Sequence, residues 1–134
     1  MDANSLVRAV FRRQVLQILE RYEQKARFYT PDVCVQDASR YIPDISRRRG
    51  IEGTLGLTAL DQVCLIVVPV DRSIYEGYED TARRRTEMRD PHDWPIVAVA
   101  LLLGPPIWTE DRDFFGSGVA TWTSDRVELY LGEK

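Results

Sequence analysis

An α/β sandwich with a mainly parallel β-sheet is the fold this sequence predicts, on three observations. Short β-branched or aromatic runs alternate with helix-length segments, the pattern of strands joined by crossovers. The run Cys64-Leu65-Ile66-Val67-Val68 is apolar at every position, as a parallel strand covered on both faces is. The segment opened by Asp93-Trp94-Pro95 and running to Leu103 is apolar nearly all round, which suits a helix buried on every side. With 134 residues, 44% of them apolar, the chain suits one domain, residues 1–134, with a modest core.

Each element follows from local pattern. Leu6, Val7, Val10, Phe11, Val15, Leu16, Ile18, Leu19 and Tyr22 recur at helical spacing and predict one amphipathic helix from Ser5 to about Tyr22. Arg27 to Thr30 is a short strand closed by Pro31. A second helix runs from Val33 until Gly50 stops it. Residues 51–56 read as a loop, Leu57 to Gln62 as a short helix, and Cys64 to Val68 as the buried strand, ended by Pro69. A third long helix spans Ile74 to Met88, and Asp90-Pro91 breaks the chain before the apolar helix. Gly104-Pro105-Pro106 ends that helix ahead of the strand Ile107 to Thr109, and Val119 to Thr123 is the last strand.

Composition narrows the function classes. The uncharged stretch from Trp94 to Trp108 is too short and too interrupted to cross a bilayer, and no signal peptide opens the chain, so a soluble cytoplasmic protein is expected, with no membrane partner. Cys34 and Cys64 stand alone in apolar segments and read as reduced, buried and chemically idle. The net charge of −3 conceals two basic clusters, Arg47-Arg48-Arg49 and Arg83-Arg84-Arg85; each alone is better read as a solvated helix face than as a phosphate-binding surface. The lone histidine argues against a histidine-rich zinc site and turns attention to carboxylates, the ligands of hard cations. There is no nucleophile elbow, P-loop or Cys/His pair.

Several acids stand at informative places. Asp2 precedes the first helix, where a negative charge near the helix N-terminus is the ordinary role, with Asn4 or Ser5 as the capping side chain. Asp37 shares a helical face with Val33, Cys34, Tyr41 and Ile45, and a carboxylate on an apolar stripe needs compensation. An arginine or a divalent cation shared with other acids would supply it, with equal weight. Asp93 has the ordinary role of an N-cap, supported by Pro95. Asp111 and Asp113 follow a strand end, the edge at which open α/β sheets bind ligands. Jointly these acids could converge on one cleft, where carboxylates repel unless a cation lies among them. Such a cluster suits metal-assisted phosphodiester hydrolysis, which requires no nucleophilic side chain. Trp108 and Trp122, and with them Trp94, read as core aromatics and not as base-stacking platforms.

The run Arg89-Asp90-Pro91-His92-Asp93-Trp94-Pro95, an apolar helix, and then Pro106-Ile107-Trp108-Thr109-Glu110-Asp111-Arg112-Asp113-Phe114-Phe115-Gly116 closely resembles the PIN-domain nucleases. The opening Asp2-Ala3-Asn4-Ser5-Leu6 is similar to the first motif of that family. The resemblance implies a PIN-like three-layer sandwich and a magnesium- or manganese-dependent ribonuclease similar to the toxins of toxin–antitoxin pairs. RNA would be its substrate, an antitoxin protein its partner, and a homodimer its assembly. It further implies that Asp2, Asp37, Asp93 and Asp111 hold the metal, that Asn4 and Thr109 orient carboxylates by hydrogen bonding, and that Asp113 is a nearby fifth acid.

Two departures from the family pattern stand out. Position 37 is more often Glu in the family, and the shorter Asp would alter metal geometry. In the family the first acid ends a central β-strand, whereas here only Met1 precedes Asp2. The first central strand is therefore expected to be truncated, from an upstream start or a shortened reading frame, leaving two inner strand edges unpaired. The alternative reading is a non-catalytic PIN-like binding module.

Overall fold

The structure, a computed structural model, describes residues 1–87, 90–109, 111, 114 and 117–132. The first apolar stripe folds as two helices rather than one: α1 (Ala3–Phe11) and α2 (Arg13–Tyr22), separated at Arg12, whose backbone is extended at φ −113° and ψ 115°. The break lets each piece bury its own face. Leu6 and Ala9 point inward from α1, which packs on α3 and α4, while Val15, Ile18 and Leu19 face inward from α2.

Strand β1 (Phe28–Pro31) leads into α3 (Asp32–Arg48), so Pro31 is the last strand residue and not a stop before it. The buried stripe of α3 is Cys34, Ala38, Ile42 and Ser46, spaced four apart. This corrects the expected stripe by one position: Asp37 lies beside the apolar face, not on it, and Tyr41 is half exposed at 49%.

The larger correction concerns residues 51–68. No separate loop, short helix and Cys64–Val68 strand form there; α4 runs unbroken over Gly53–Ile66, and β2 follows at Val67–Val70. A short apolar run does not by itself separate strand from helix. Here Gly56, Leu60 and Val63 supply the helical spacing that carries the segment past Cys64. The expected helix from Ile74 is likewise divided, into α5 (Arg72–Tyr75), a 3₁₀ turn over Glu76–Tyr78, and α6 (Glu79–Thr86). Gly77 in the turn is a poor helix interior residue, and Tyr75 is held by its buried hydroxyl, which donates to Asp32 at 2.8 Å. The apolar helix forms as α7 (Trp94–Leu103) with Trp94 through Ala100 all buried, and Gly104 closes it in a left-handed conformation at φ 85°. Such a cap favours glycine because no Cβ meets the backbone. A short helix that sequence pattern did not suggest, α8 (Val127–Leu131), follows the last strand.

Parallel pairing is present, as expected of an α/β fold. Among the described residues the strands form two sheets of two strands each: β1 with β2, and β3 (Ile107–Trp108) with β4 (Thr121–Trp122). Met1 stands between the two. Its ammonium donates to Tyr29 O at 2.9 Å, its carbonyl accepts from Thr30 Oγ1 at 2.8 Å, and Ser5 Oγ reaches Trp108 O at 3.3 Å. A small cavity of about 70 Å³ lies beside it, lined by Met1, Phe28, Ile107 and Trp108 among others. Helices α3 and α4 pack on the first sheet, and α7 packs on both β1 and β3. No helix among the described residues is long and apolar enough to cross a membrane.

Candidate functional site

Asp2 is held from two sides. Its backbone is extended at φ −86° and ψ 176°, the conformation of an N-cap, and its Oδ1 accepts the backbone N–H of Ser5 at 2.8 Å. Its Oδ2 accepts a hydrogen bond from the hydroxyl of Thr109, and the residue is only 6% exposed. Thr109 is fully buried at the end of β3, and its Oγ1 accepts the backbone N–H of Asp111 at 3.0 Å. A hydroxyl has one proton to give and lone pairs to receive. Thr109 therefore ties the carboxylate at the head of α1 to the loop carrying Asp111.

Asp37 projects from α3, with a side-chain exposure of 38%, and pairs with Arg40 one helical turn on. An arginine thus compensates it, though the pair is too exposed to add much stability. Asp93 ends a 3₁₀ turn over Pro91–Asp93 and stands immediately before α7. It occupies the N-cap position of α7, as expected, but its side chain makes no capping hydrogen bond there. Asp90 caps the 3₁₀ turn, its Oδ1 accepting from His92 N at 3.0 Å.

Asp2, Asp37, Asp93 and Asp111 all line one open cleft of about 310 Å³. Among the described residues no three His, Cys, Asp or Glu side chains approach closely enough to hold a metal ion as they stand. Asn4 lies on the rim, exposed, and makes no hydrogen bond to a carboxylate among the described residues. The orienting contacts come from Thr109 and from the backbone of Ser5; the capping side chain expected at Asn4 or Ser5 is that of Asp2 itself, which accepts the Ser5 N–H. Asp113, with Arg89, Glu110, Arg112, Phe115 and Gly116 of the motif, lies outside the described residues.

Asp90, His92 and Cys34 also reach the cleft. Asp90 was legible only as a chain break before Pro91. Burial pushes the Cys34 thiol up to about 12, with Asp2 and Asp37 adding to the rise against the nearby terminal ammonium and a hydrogen bond from Thr30. The acids of the cleft offer carboxylate oxygens, the donors that hard divalent cations take, with the His92 imidazole beside them. Both cysteines are free; Cys34 is buried, and Cys64 only partly so. Trp94 and Trp108 are core aromatics at 5% and 4% exposure, while Trp122 is half-buried and stacks on Tyr130.

A sequence profile described as PIN domain matches residues 1–132. Comparison with curated proteins gives no significant match.

Proposed function

Because the chain belongs to the PIN-domain family, whose members are generally nucleases, we propose that it is a metal-dependent ribonuclease that hydrolyses RNA phosphodiester bonds at the cleft of Asp2, Asp37, Asp93 and Asp111. The observation that carries this reading is the gathering of four acids, far apart in sequence, around one cleft. Uncompensated carboxylates sharing a site repel, and oxygen donors in that number are what a divalent cation draws together. The four carboxylates would hold magnesium or manganese. When bound, such an ion supplies Lewis acidity to the phosphoryl oxygens and makes water a competent nucleophile at neutral pH.

The chain's own residues do the positioning. Thr109 and the Ser5 N–H together occupy both oxygens of Asp2, fixing its orientation before any ligand arrives. The Thr109 hydroxyl also anchors the Asp111 backbone, so the first and last acids keep a constant relation. Asp37 differs: it must exchange Arg40 for a cation, and that exchange weakens binding by whatever the exposed pair is worth. The Arg40 pairing also favours a second reading, a non-catalytic module in which Asp37 stays neutralised.

Manganese titration of the unfolding temperature, comparing wild type with Asp93→Asn, separates the two. The nuclease reading expects wild type to be stabilised by mass action, the variant to be stabilised far less, and only wild type to cleave RNA. Absence of any manganese-dependent shift in wild type would leave the binding module as the better account.

A further inference from the structure

Beside the acidic cleft, and continuous with it, lies a more open depression of about 430 Å³ lined by Asp2, Asn4, Val7, Arg8 and Asp111. Asp2, Asn4 and Asp111 border both, so the two form one groove. We propose that Arg8 is the phosphate-binding residue of this groove, holding a backbone phosphate of single-stranded RNA next to the one at the acids; the proposal rests on the nuclease reading above.

Charge makes the first part of the case. A groove walled by carboxylates repels a polyanion, and bound metal offsets this only at the phosphate it touches. A cation farther along is needed to seat the rest of the strand. Arg8 is the arginine that lines this groove among the described residues. Several other arginines are engaged elsewhere: Arg21, Arg40, Arg47, Arg72 and Arg83 are in ion pairs, Arg85 donates to Ser117 O, and Arg49 lies over the ring of Phe11; Arg12, Arg13, Arg27, Arg48 and Arg126 do not line the groove. The Arg8 guanidinium makes neither an ion pair nor a hydrogen bond among the described residues, although Asp2 and Asp111 border the same depression.

Geometry makes the second part. Arg8 follows Asn4 by four residues on α1, so both stand on one face of the helix, about 6 Å apart along its axis. Asp2, the N-cap of α1, borders the same depression at the N-terminal end of the helix, and its carboxylate is fixed by Ser5 and Thr109. A strand laid from the acids along α1 therefore meets the guanidinium roughly one helical turn on. Arginine suits the task because its planar fork matches two phosphate oxygens at once.

The test compares wild type, Arg8→Ala and Arg8→Lys by fluorescence anisotropy with a labelled single-stranded RNA between about 50 and 200 mM salt, by manganese-dependent cleavage, and by manganese-induced thermal shift. We expect Arg8→Ala to bind RNA about tenfold more weakly and to lower the log–log salt slope by about 0.7, the loss of one phosphate contact. Its KM should rise with kcat changed little, while the manganese shift stays at the wild-type size. Arg8→Lys should restore the slope and part of the affinity. If wild type binds and cleaves RNA while Arg8→Ala matches it in affinity and salt slope, the proposal fails and the nuclease reading stands. Weaker binding with an unchanged slope and no rescue by lysine also overturns it, because the residue then acts through shape. If wild type neither binds nor cleaves RNA in manganese, the nuclease reading fails and this proposal with it.

Discussion

The hydroxyl of Thr109 donates to the carboxylate of Asp2 across 107 residues of sequence, joining the end of β3 to the head of α1 inside the protein. Because the same oxygen accepts the Asp111 N–H, Thr109→Val removes a donor and an acceptor together while nearly conserving shape. The variant is expected to lose about 1–3 kcal/mol of stability, the cost of stranding buried polar groups. Manganese affinity should fall about 10–100-fold, as when a group that orients a ligand is removed. Thr109→Ser keeps the hydroxyl and should recover most of both. Urea unfolding and a manganese titration read the two effects, and a Val variant with the wild-type manganese midpoint would show that Thr109 does not orient the site.

Gly118 follows Ser117, whose carbonyl is bound by Arg85. Its φ of +83° lies in the left-handed region, and a Cβ there would come within 2.7 Å of Arg85 Nη1, whose guanidinium donates to Ser117 O at 3.3 Å. The arginine head is the far end of a flexible chain and can swing aside, so the backbone conformation decides the cost. Gly118→Ala is expected to destabilise by about 1–2 kcal/mol. Adding Arg85→Ala should recover less than half of that in a double-mutant cycle. Full recovery in the double variant would mean that the contact, and not the φ angle, sets the cost.

How far the sequence could be read depended on the length and isolation of each signal. The all-apolar helix α7 was legible because Asp90-Pro91 and Gly104-Pro105-Pro106 bound it on both sides and nothing polar interrupts it. The strand expected at Cys64 was misplaced because five apolar residues satisfy helix and strand alike, and the deciding partners of α4 lie in α1 and α3. The single helix expected over residues 5–22 failed at Arg12, a position with no Gly or Pro to announce a break. At the site, each acid had a bland local role, and those roles hold in part: Asp37 has its arginine partner, Asp93 stands at the N-cap position of α7, and Asp2 itself, rather than Asn4 or Ser5, supplies the cap of α1. What the sequence could not supply was the hydrogen bonding of Thr109, which depends on β3 ending beside α1, and the pairing of Asp37 with Arg40, which a helix makes available without requiring it.

Helices α3 and α4 meet at Gly56, where a Cβ would lie 2.5 Å from Ser46 Oγ and 2.6 Å from Ile42 Cγ2. Both neighbours are fully buried, so neither can yield cheaply. Gly56→Ala is therefore expected to destabilise by about 1–3 kcal/mol through overpacking, even though alanine is the better helix former by about 1 kcal/mol. Ser46 Oγ finds no hydrogen-bond partner among the described residues. Ser46→Ala should then be neutral or stabilising by about 1 kcal/mol, and should soften the Gly56→Ala penalty by removing one of the two clashing atoms. Denaturant midpoints of the two single variants and the double variant give the coupling; strict additivity would place the clash elsewhere.

Tyr75 links stability to alkaline pH. The residue is completely buried, and its hydroxyl donates at 2.8 Å to Asp32 Oδ1, which also accepts from Val33 N at 2.8 Å. Burial first, and then the hydrogen bond to Asp32 and its charge, raise the phenol above its ordinary value. A folded-state value above the unfolded one, about 10 for tyrosine, means that the unfolded chain gives up this proton first. The contribution is then fully present below pH ~10 and is lost as pH rises through the folded-state value. Tyr75→Phe should cost about 1 kcal/mol near neutrality, where Asp32 loses a neutral donor but keeps its backbone N–H donors. Above pH ~10 the wild-type unfolding temperature should fall more steeply than that of the variant, so that the gap between them closes. The comparison cancels the parallel effect of Cys34, whose thiol is also raised, to about 12. Unfolding curves that stay parallel across this range would mean that the Tyr75 phenol ionises as readily folded as unfolded, against its burial and its bond to Asp32.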